Sequence, residues 1–172
     1  MIIVLMGVCG CGKSTIGKKL ARLLDSAFIE GDDLHPVSNT EKMTAGIALT
    51  EDDRWPWLET IGQRAASLAA TTDNVVISCS ALKRSYRDRL RSSHNEMRFV
   101  YLAGSKPLLQ TRMLERRQHF MPPGLLDSQL AILEPPGLDE NPFTLDVADD
   151  PDKLASAIAD ELFGTKKMAR SL

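Results

Sequence analysis

Gly7-Val8-Cys9-Gly10-Cys11-Gly12-Lys13-Ser14 fits G-x-x-x-x-G-K-[ST], the pattern of a phosphate-binding loop. Its flanks fit as well. Met1 to Met6 (MIIVLM) is a short apolar run of the kind that forms a buried strand. Thr15 to Leu24 carries Ile16, Leu20, Leu23 and Leu24 at helical spacing. Strand, glycine loop and helix N-terminus thus come in the order that anion binding needs. Glycines let the backbone curl until successive N–H groups converge, and the helix N-terminus adds partial positive charge there. On this reading Gly7, Cys9, Gly10, Cys11, Gly12, Lys13, Ser14 and Thr15 form an ATP-binding segment. Lys13 reaches the β/γ-phosphates, and the Ser14 hydroxyl is a ligand for Mg²⁺.

Outward from the loop, strand-like and helix-like runs alternate. Ala27 to Glu30, Asn74 to Cys79, Arg98 to Leu102 and Phe143 to Val147 read as strands. Residues 55–70, 83–92, 107–117 and 151–163 carry helical patterns, the last two opening on Pro107 and Pro151. This alternation predicts an α/β fold with a mostly parallel sheet covered on both faces. Ligands of such sheets bind beyond the carboxyl ends of the strands. Two stretches do not read as core. Residues 31–57 are polar, and residues 118–142 hold five prolines and two glycines, which reads as a loop or lid. One domain over residues 1–164 is expected, with a lid at about 116–142 and a frayed tail over 165–172.

The composition narrows the class. The 172 residues carry a net charge of −2, which gives no electrostatic case for nucleic acid as a main partner. No apolar run approaches the roughly 18 residues of a membrane helix, and the first six residues lack the basic region of a secretion signal. A cytoplasmic protein is the simplest expectation. Three cysteines, Cys9, Cys11 and Cys79, do not make a disulfide framework, and Cys9-x-Cys11 has no second cluster to complete a zinc site. Two readings of the loop thiols stay open, small fillers or redox-sensitive groups beside a lysine and a helix N-terminus.

The remaining parts of a phosphoryl-transfer site should sit at the strand ends. After the second run comes Glu30-Gly31-Asp32-Asp33-Leu34-His35. Asp32 is the candidate for base and hydroxyl orienter, although Gly-Asp-Asp is also good turn chemistry. Arg54, in Asp52-Asp53-Arg54-Trp55-Pro56-Trp57, stands against a bulky wall and suits carboxylate recognition; a helix-start staple is the alternative. After the third run, Lys83 and Arg87 share one helix face, either facing the site or simply solvated. Arg112 and Arg116 share another, where an arginine closing over a nucleotide and a solvated face are both open.

Together these stretches resemble the gluconate kinase family of small P-loop sugar-acid kinases. The resemblance spans roughly residues 3–147. It is carried by the phosphate loop, by Gly31-Asp32-Asp33-Leu34-His35-Pro36 with Asn39, Lys42, Met43 and Gly46, and by Asp53-Arg54-Trp55-Pro56-Trp57-Leu58. It continues through Cys79-Ser80-Ala81-Leu82-Lys83 with Tyr86-Arg87, and through His119-Phe120-Met121-Pro122, Ser128-Gln129 and Leu133-Glu134. It implies a five-stranded parallel sheet of order 2-3-1-4-5 with a mobile lid. It also implies transfer of the ATP γ-phosphate to the 6-hydroxyl of D-gluconate, with Lys13 and Asp32 as catalytic residues. Asp32, His35, Arg54, Lys83 and Arg87 would bind the sugar acid, and Arg116 the nucleotide. Family members are often homodimers, which the residues themselves do not show. Two departures stand out. Cys9 and Cys11 replace the usual serines, and Glu30 stands where the family commonly has aspartate.

Overall fold

A computed structural model describes residues 1–94, 96–115 and 124–168. Five strands, β1 (Ile2–Met6), β2 (Ala27–Glu30), β3 (Val75–Ser78), β4 (Met97–Ala103) and β5 (Phe143–Asp146), form one sheet of order β2-β3-β1-β4-β5. Every pairing is parallel. The order and the parallel sense agree with the sequence expectation.

β1 shows why its sequence is apolar at every position. Side chains alternate across a strand, and both faces of this sheet are covered. Ile3 and Leu5 enter one core, with Leu20 and Ala21 of α1 (Lys13–Leu23) and Leu154 and Ile158 of α7 (Pro151–Met168). Ile2, Val4 and Met6 enter the other core. There they meet Trp57, Leu58 and Ile61 of α3 (Glu51–Ala69), and Tyr86 and Leu90 of α4 (Arg84–Arg91). All five β1 residues are fully buried, so the loop that follows grows from the most constrained strand.

Residues 31–57 contain more structure than their polarity suggested. A 3-10 turn covers Gly31–Leu34 and a helix, α2, covers Val37–Thr44. α3 starts at Glu51, four residues ahead of the helical run read from the sequence, because Thr50 and Asp53 form a capping box. The Thr50 Oγ1 accepts the Asp53 N–H at 3.2 Å, and the Asp53 carboxylate accepts the Thr50 N–H at 2.9 Å. Met43, Asn39, Arg54 and Trp57 of this stretch are all buried.

The proline-rich stretch is likewise not plain loop over the residues described. α5 (Lys106–Glu115) precedes it, and α6 (Gly124–Ile132) lies inside it, followed by a 3-10 turn at Leu138–Glu140. Leu126 is buried in the first core, and the Glu134 N–H donates to the Leu82 carbonyl at 2.9 Å. Residues 116–123, including Arg116, lie outside the described residues. At the C-terminal end, α7 runs to Met168, four residues into the segment expected to be frayed.

Candidate active site

The loop between β1 and α1 is shaped by three glycines with positive φ, Gly7 (143°), Gly10 (81°) and Gly12 (89°). Gly7 also needs the space. A Cβ there would stand 2.7 Å from the Leu102 carbonyl oxygen of β4. Lys13, the first residue of α1, folds back over this loop. Its Nζ donates to the Gly7 and Val8 carbonyls at 3.0 Å each. Burial opposes its charge, but the surrounding Cys11, Asp32, Cys9 and Cys79 outweigh that and push its pKa above the ordinary lysine value. Lys13 is therefore a held cation.

One cleft at the carboxyl ends of β1, β2 and β3 joins the loop to the next two strand ends. It is lined by Cys9, Gly10, Gly12, Lys13 and Ser14 from the loop, and by Asp32, His35, Arg54 and Ser80. Met43, Leu49, Met113, Leu125 and Gln129 close its walls. Asp32 is exposed and sits in the 3-10 turn directly after β2. That turn is fixed by Gly31, where a Cβ would come 2.3 Å from the Ser78 carbonyl oxygen of β3. The Trp57 indole N–H donates to the Gly31 carbonyl at 2.7 Å, and His35 stacks on Trp57 with ring centroids 4.1 Å apart. Burial and then Arg54 push the His35 pKa down to about 4, against the opposing pull of Asp32. The ring is neutral near pH 7.

Arg54 is 7% exposed, and its Nε is the one buried side-chain polar atom without a hydrogen-bond partner among the described residues. Its guanidinium lies 5.7 Å from the centre of the Tyr86 ring. A buried guanidinium with a spare donor costs stability unless something else supplies the acceptor.

Two sequence candidates lie elsewhere. Arg87 is a correction: it does not line the cleft. It is 1% exposed and forms a two-point pair with Glu140, both contacts at 2.7 Å. It also donates to the carbonyls of Ala81, Leu82 and Glu134. Its role is to tie the β3–α4 loop, where Ala81 adopts a left-handed φ of 43°, to the segment after α6. Lys83 pairs its Nζ with Glu51 at 2.6 Å and stands 5.8 Å from the centre of the Tyr86 ring, outside the residues that line this cleft. Glu30 accepts the Ser78 hydroxyl, so its carboxylate is engaged between β2 and β3. Of the thiols, Cys11 and Cys79 are buried and Cys79 is pushed up to about 12 by burial, whereas Cys9 lines the cleft with its Sγ 3.3 Å from the Met113 sulfur.

Sequence reasoning did not assign two features. A second cleft shares Gly10 and Gly12 with the first and continues past Thr15 to Arg112, Val147, Asp149 and Pro151. Arg112 is held there by donating to the Val147 carbonyl at 2.7 Å. The other feature is Gln129 of α6, whose side-chain oxygen accepts the Cys9 N–H at 2.6 Å. Neither has a local motif, because each depends on residues more than thirty positions apart in the chain.

A phosphate loop rising from the central strand of a 2-3-1-4-5 sheet, with a carboxylate and a buried cation across one cleft, defines the P-loop small-molecule kinase class. A family model described as Shikimate kinase matches residues 9–131. The thermosensitive gluconokinase of Escherichia coli K12 is 47% identical over 137 residues, covering 80% of this chain and 73% of that protein. The crystal structure of a gluconokinase from Sinorhizobium meliloti 1021 superposes with a TM-score of 0.81 at 46% identity, covering 95% of both chains. That of a sugar kinase from Janibacter sp. HTCC2649 superposes with a TM-score of 0.89 at 40% identity, covering 94% of this chain and 93% of the other. The chain belongs to the shikimate kinase-type P-loop family and, within it, to the gluconokinases.

Proposed function

We propose that this protein phosphorylates D-gluconate to 6-phospho-D-gluconate at the expense of ATP. The observation that carries the acceptor class is Arg54, a buried guanidinium with an unused donor lining the same cleft as Lys13 and Asp32. A small acid with several hydroxyls supplies the missing acceptor, and Asp32, His35 and Ser80 offer further hydrogen-bonding partners. The gluconokinase relatives at 46–47% identity support the same acceptor.

The ATP phosphates lie in the loop of residues 7–15, with the nucleoside directed into the second cleft past Thr15 towards Arg112 and Pro151. Ser14 is the residue that would hold Mg²⁺. No group of three or more His, Cys, Asp or Glu among the described residues makes a cage by itself. That fits an ion that takes one or two protein oxygens and completes its shell with phosphate and water. Bound Mg²⁺ supplies charge neutralisation on the phosphate oxygens. Lys13 stabilises the charge that builds on the transferred group. Asp32 accepts the proton of the attacking hydroxyl and orients it for in-line transfer. Arg54 holds the carboxylate end, which fixes the reach of the chain towards the γ-phosphate. Arg116 remains a proposed nucleotide contact. A cytoplasmic location and a homodimer are part of the proposal; for the first, no helix among the described residues is long and apolar enough to cross a membrane.

The test is a coupled ADP-release assay with Mg-ATP and a panel of D-gluconate, L-idonate, shikimate, glucose and AMP. Turnover selective for gluconate is expected. Selective turnover of shikimate or AMP would replace the acceptor, and ATP binding without turnover of any would replace the catalytic reading.

A further inference from the structure

Between α2 and α3 lies a buried polar contact that the reading above does not use. Asn39 is 1% exposed. Its Nδ2 donates to the Asp53 carbonyl at 2.7 Å and stands 3.3 Å from His35 Nδ1. A backbone carbonyl can only accept, so the nitrogen end of the amide must face it. The second hydrogen of the same NH₂ is then received by His35 Nδ1, which has to offer its lone pair. In a neutral imidazole the proton is consequently on Nε2. The ring is also fixed in plane, stacked on Trp57 at an interplanar angle of 13°, and Trp57 is itself anchored to Gly31. His35 lines the cleft beside Asp32 and Arg54.

We propose that Asn39 is a positioning residue that sets His35 as an Nε2–H donor, and that this donor selects acceptor molecules presenting a hydroxyl or carboxylate oxygen at that edge of the cleft. The identity of the oxygen rests on the sugar-acid reading; the tautomer does not. The surrounding charges keep the arrangement in place across the neutral range. Burial and Arg54 of α3 hold the ring unprotonated down to about pH 4, although Asp32 from the 3-10 turn pulls the other way. The Asp53 carboxylate is turned to Lys42 of α2, at 2.7 and 2.8 Å, and not to the ring.

Asn39→Asp inverts the arrangement. A carboxylate at this place accepts instead of donating, so the neutral ring moves its proton to Nδ1 and presents a lone pair to the cleft. Only the protonated ring then restores Nε2–H. The sugar-acid KM of Asn39→Asp should therefore rise as pH increases through the new His35 pKa, by about 3- to 10-fold, the worth of one neutral hydrogen bond. The unsubstituted protein should show no such step above about pH 5, given a His35 pKa of about 4. The tautomer is read separately from ¹⁵N–¹H correlations of the histidine rings, with His35 among three histidines assigned through His35→Gln. An Nε2–H pattern in the unsubstituted protein is expected, and an Nδ1–H pattern overturns the proposal even if Asn39→Asp does not fold. A folded Asn39→Asp whose KM stays flat while its His35 pKa has moved overturns the selective role. If no sugar acid turns over, the ring spectra still decide the tautomer, and a shift of the His35 signals on adding gluconate decides contact.

Discussion

The side-chain oxygen of Gln129 accepts the backbone N–H of Cys9 at 2.6 Å, so a residue of α6 occupies a donor of the phosphate loop. Lys13 shows the same substitution of partners, its ammonium held by the Gly7 and Val8 carbonyls. Both contacts use groups that the proposed reading assigns to phosphate, and ATP must displace them.

Gln129→Ala should accordingly tighten Mg-ATP binding by roughly 3- to 10-fold, since one neutral hydrogen bond no longer has to be broken. Gln129→Glu should weaken it, because a carboxylate is both a stronger acceptor for the Cys9 N–H and a repulsive neighbour for phosphate. Calorimetric titration with ATP measures both. Weaker binding by Gln129→Ala would mean that the amide is a ligand for the nucleotide and not its placeholder.

Asp32 and Lys13 separate chemistry from binding. Asp32→Asn should lower kcat by about 10²- to 10⁴-fold, the usual contribution of a positioned base, while the ATP dissociation constant changes little. Lys13→Met should lower kcat at least as far and weaken ATP binding as well, because its charge is used in both. Single-turnover kinetics alongside titration distinguishes them. Equal loss of ATP binding in both variants would remove the assigned division of labour.

The sequence made the sheet legible because each strand is short, apolar and followed by a helical period, and β1 needs no polar face at all. The strand-end rule then led to Asp32, His35, Arg54 and Ser80, which the fold brings into one cleft with the loop. It does not hold for Arg87, for a physical reason. An i,i+4 spacing shows that two side chains share a helix face but not which partner that face meets. Arg87 meets Glu140, 53 positions away. The early start of α3 is legible in principle, as Thr50-Glu51-Asp52-Asp53 is a capping signal, although the apolar period begins only after it. Gln129 and Asn39 are not, since a single amide side chain has no local signature and acquires its role only from distant neighbours.

Arg54 should trade stability for recognition. Its buried Nε has no partner among the described residues. Arg54→Met removes that unsatisfied group and keeps much of the apolar stem. The sugar-acid KM should rise by about 10- to 100-fold, the range of a charge-assisted hydrogen bond. Thermal stability without substrate should hold or increase. A loss of several degrees in Tm with an unchanged KM would assign Arg54 to the core and move the carboxylate site elsewhere.

Glu140 gives a stability test with a defined pH window. The Arg87 hydrogen bonds, reinforced by Arg91 and the Gly137 N–H against the cost of burial, hold its pKa at about 2, below the ordinary 4.5. A carboxylate depressed in the folded state contributes fully above its unfolded pKa and loses that contribution as pH falls through the folded one. The pair should thus supply about 3 kcal/mol at neutral pH, declining between about pH 4.5 and 2. Glu140→Gln leaves Arg87 buried without its counter-charge, and should lower stability at pH 7 by about 3 to 5 kcal/mol. It should also flatten the acid limb of the stability curve. Urea unfolding at pH 7 and at pH 3 measures both effects, and the difference between the two proteins should shrink at the lower pH. A difference that stays constant would place the stabilisation in packing and hydrogen bonding that do not require the Glu140 charge. The loop that Arg87 anchors at Ala81 and Leu82 leads directly from Ser80, so a weakened pair should also raise the sugar-acid KM before it unfolds the chain.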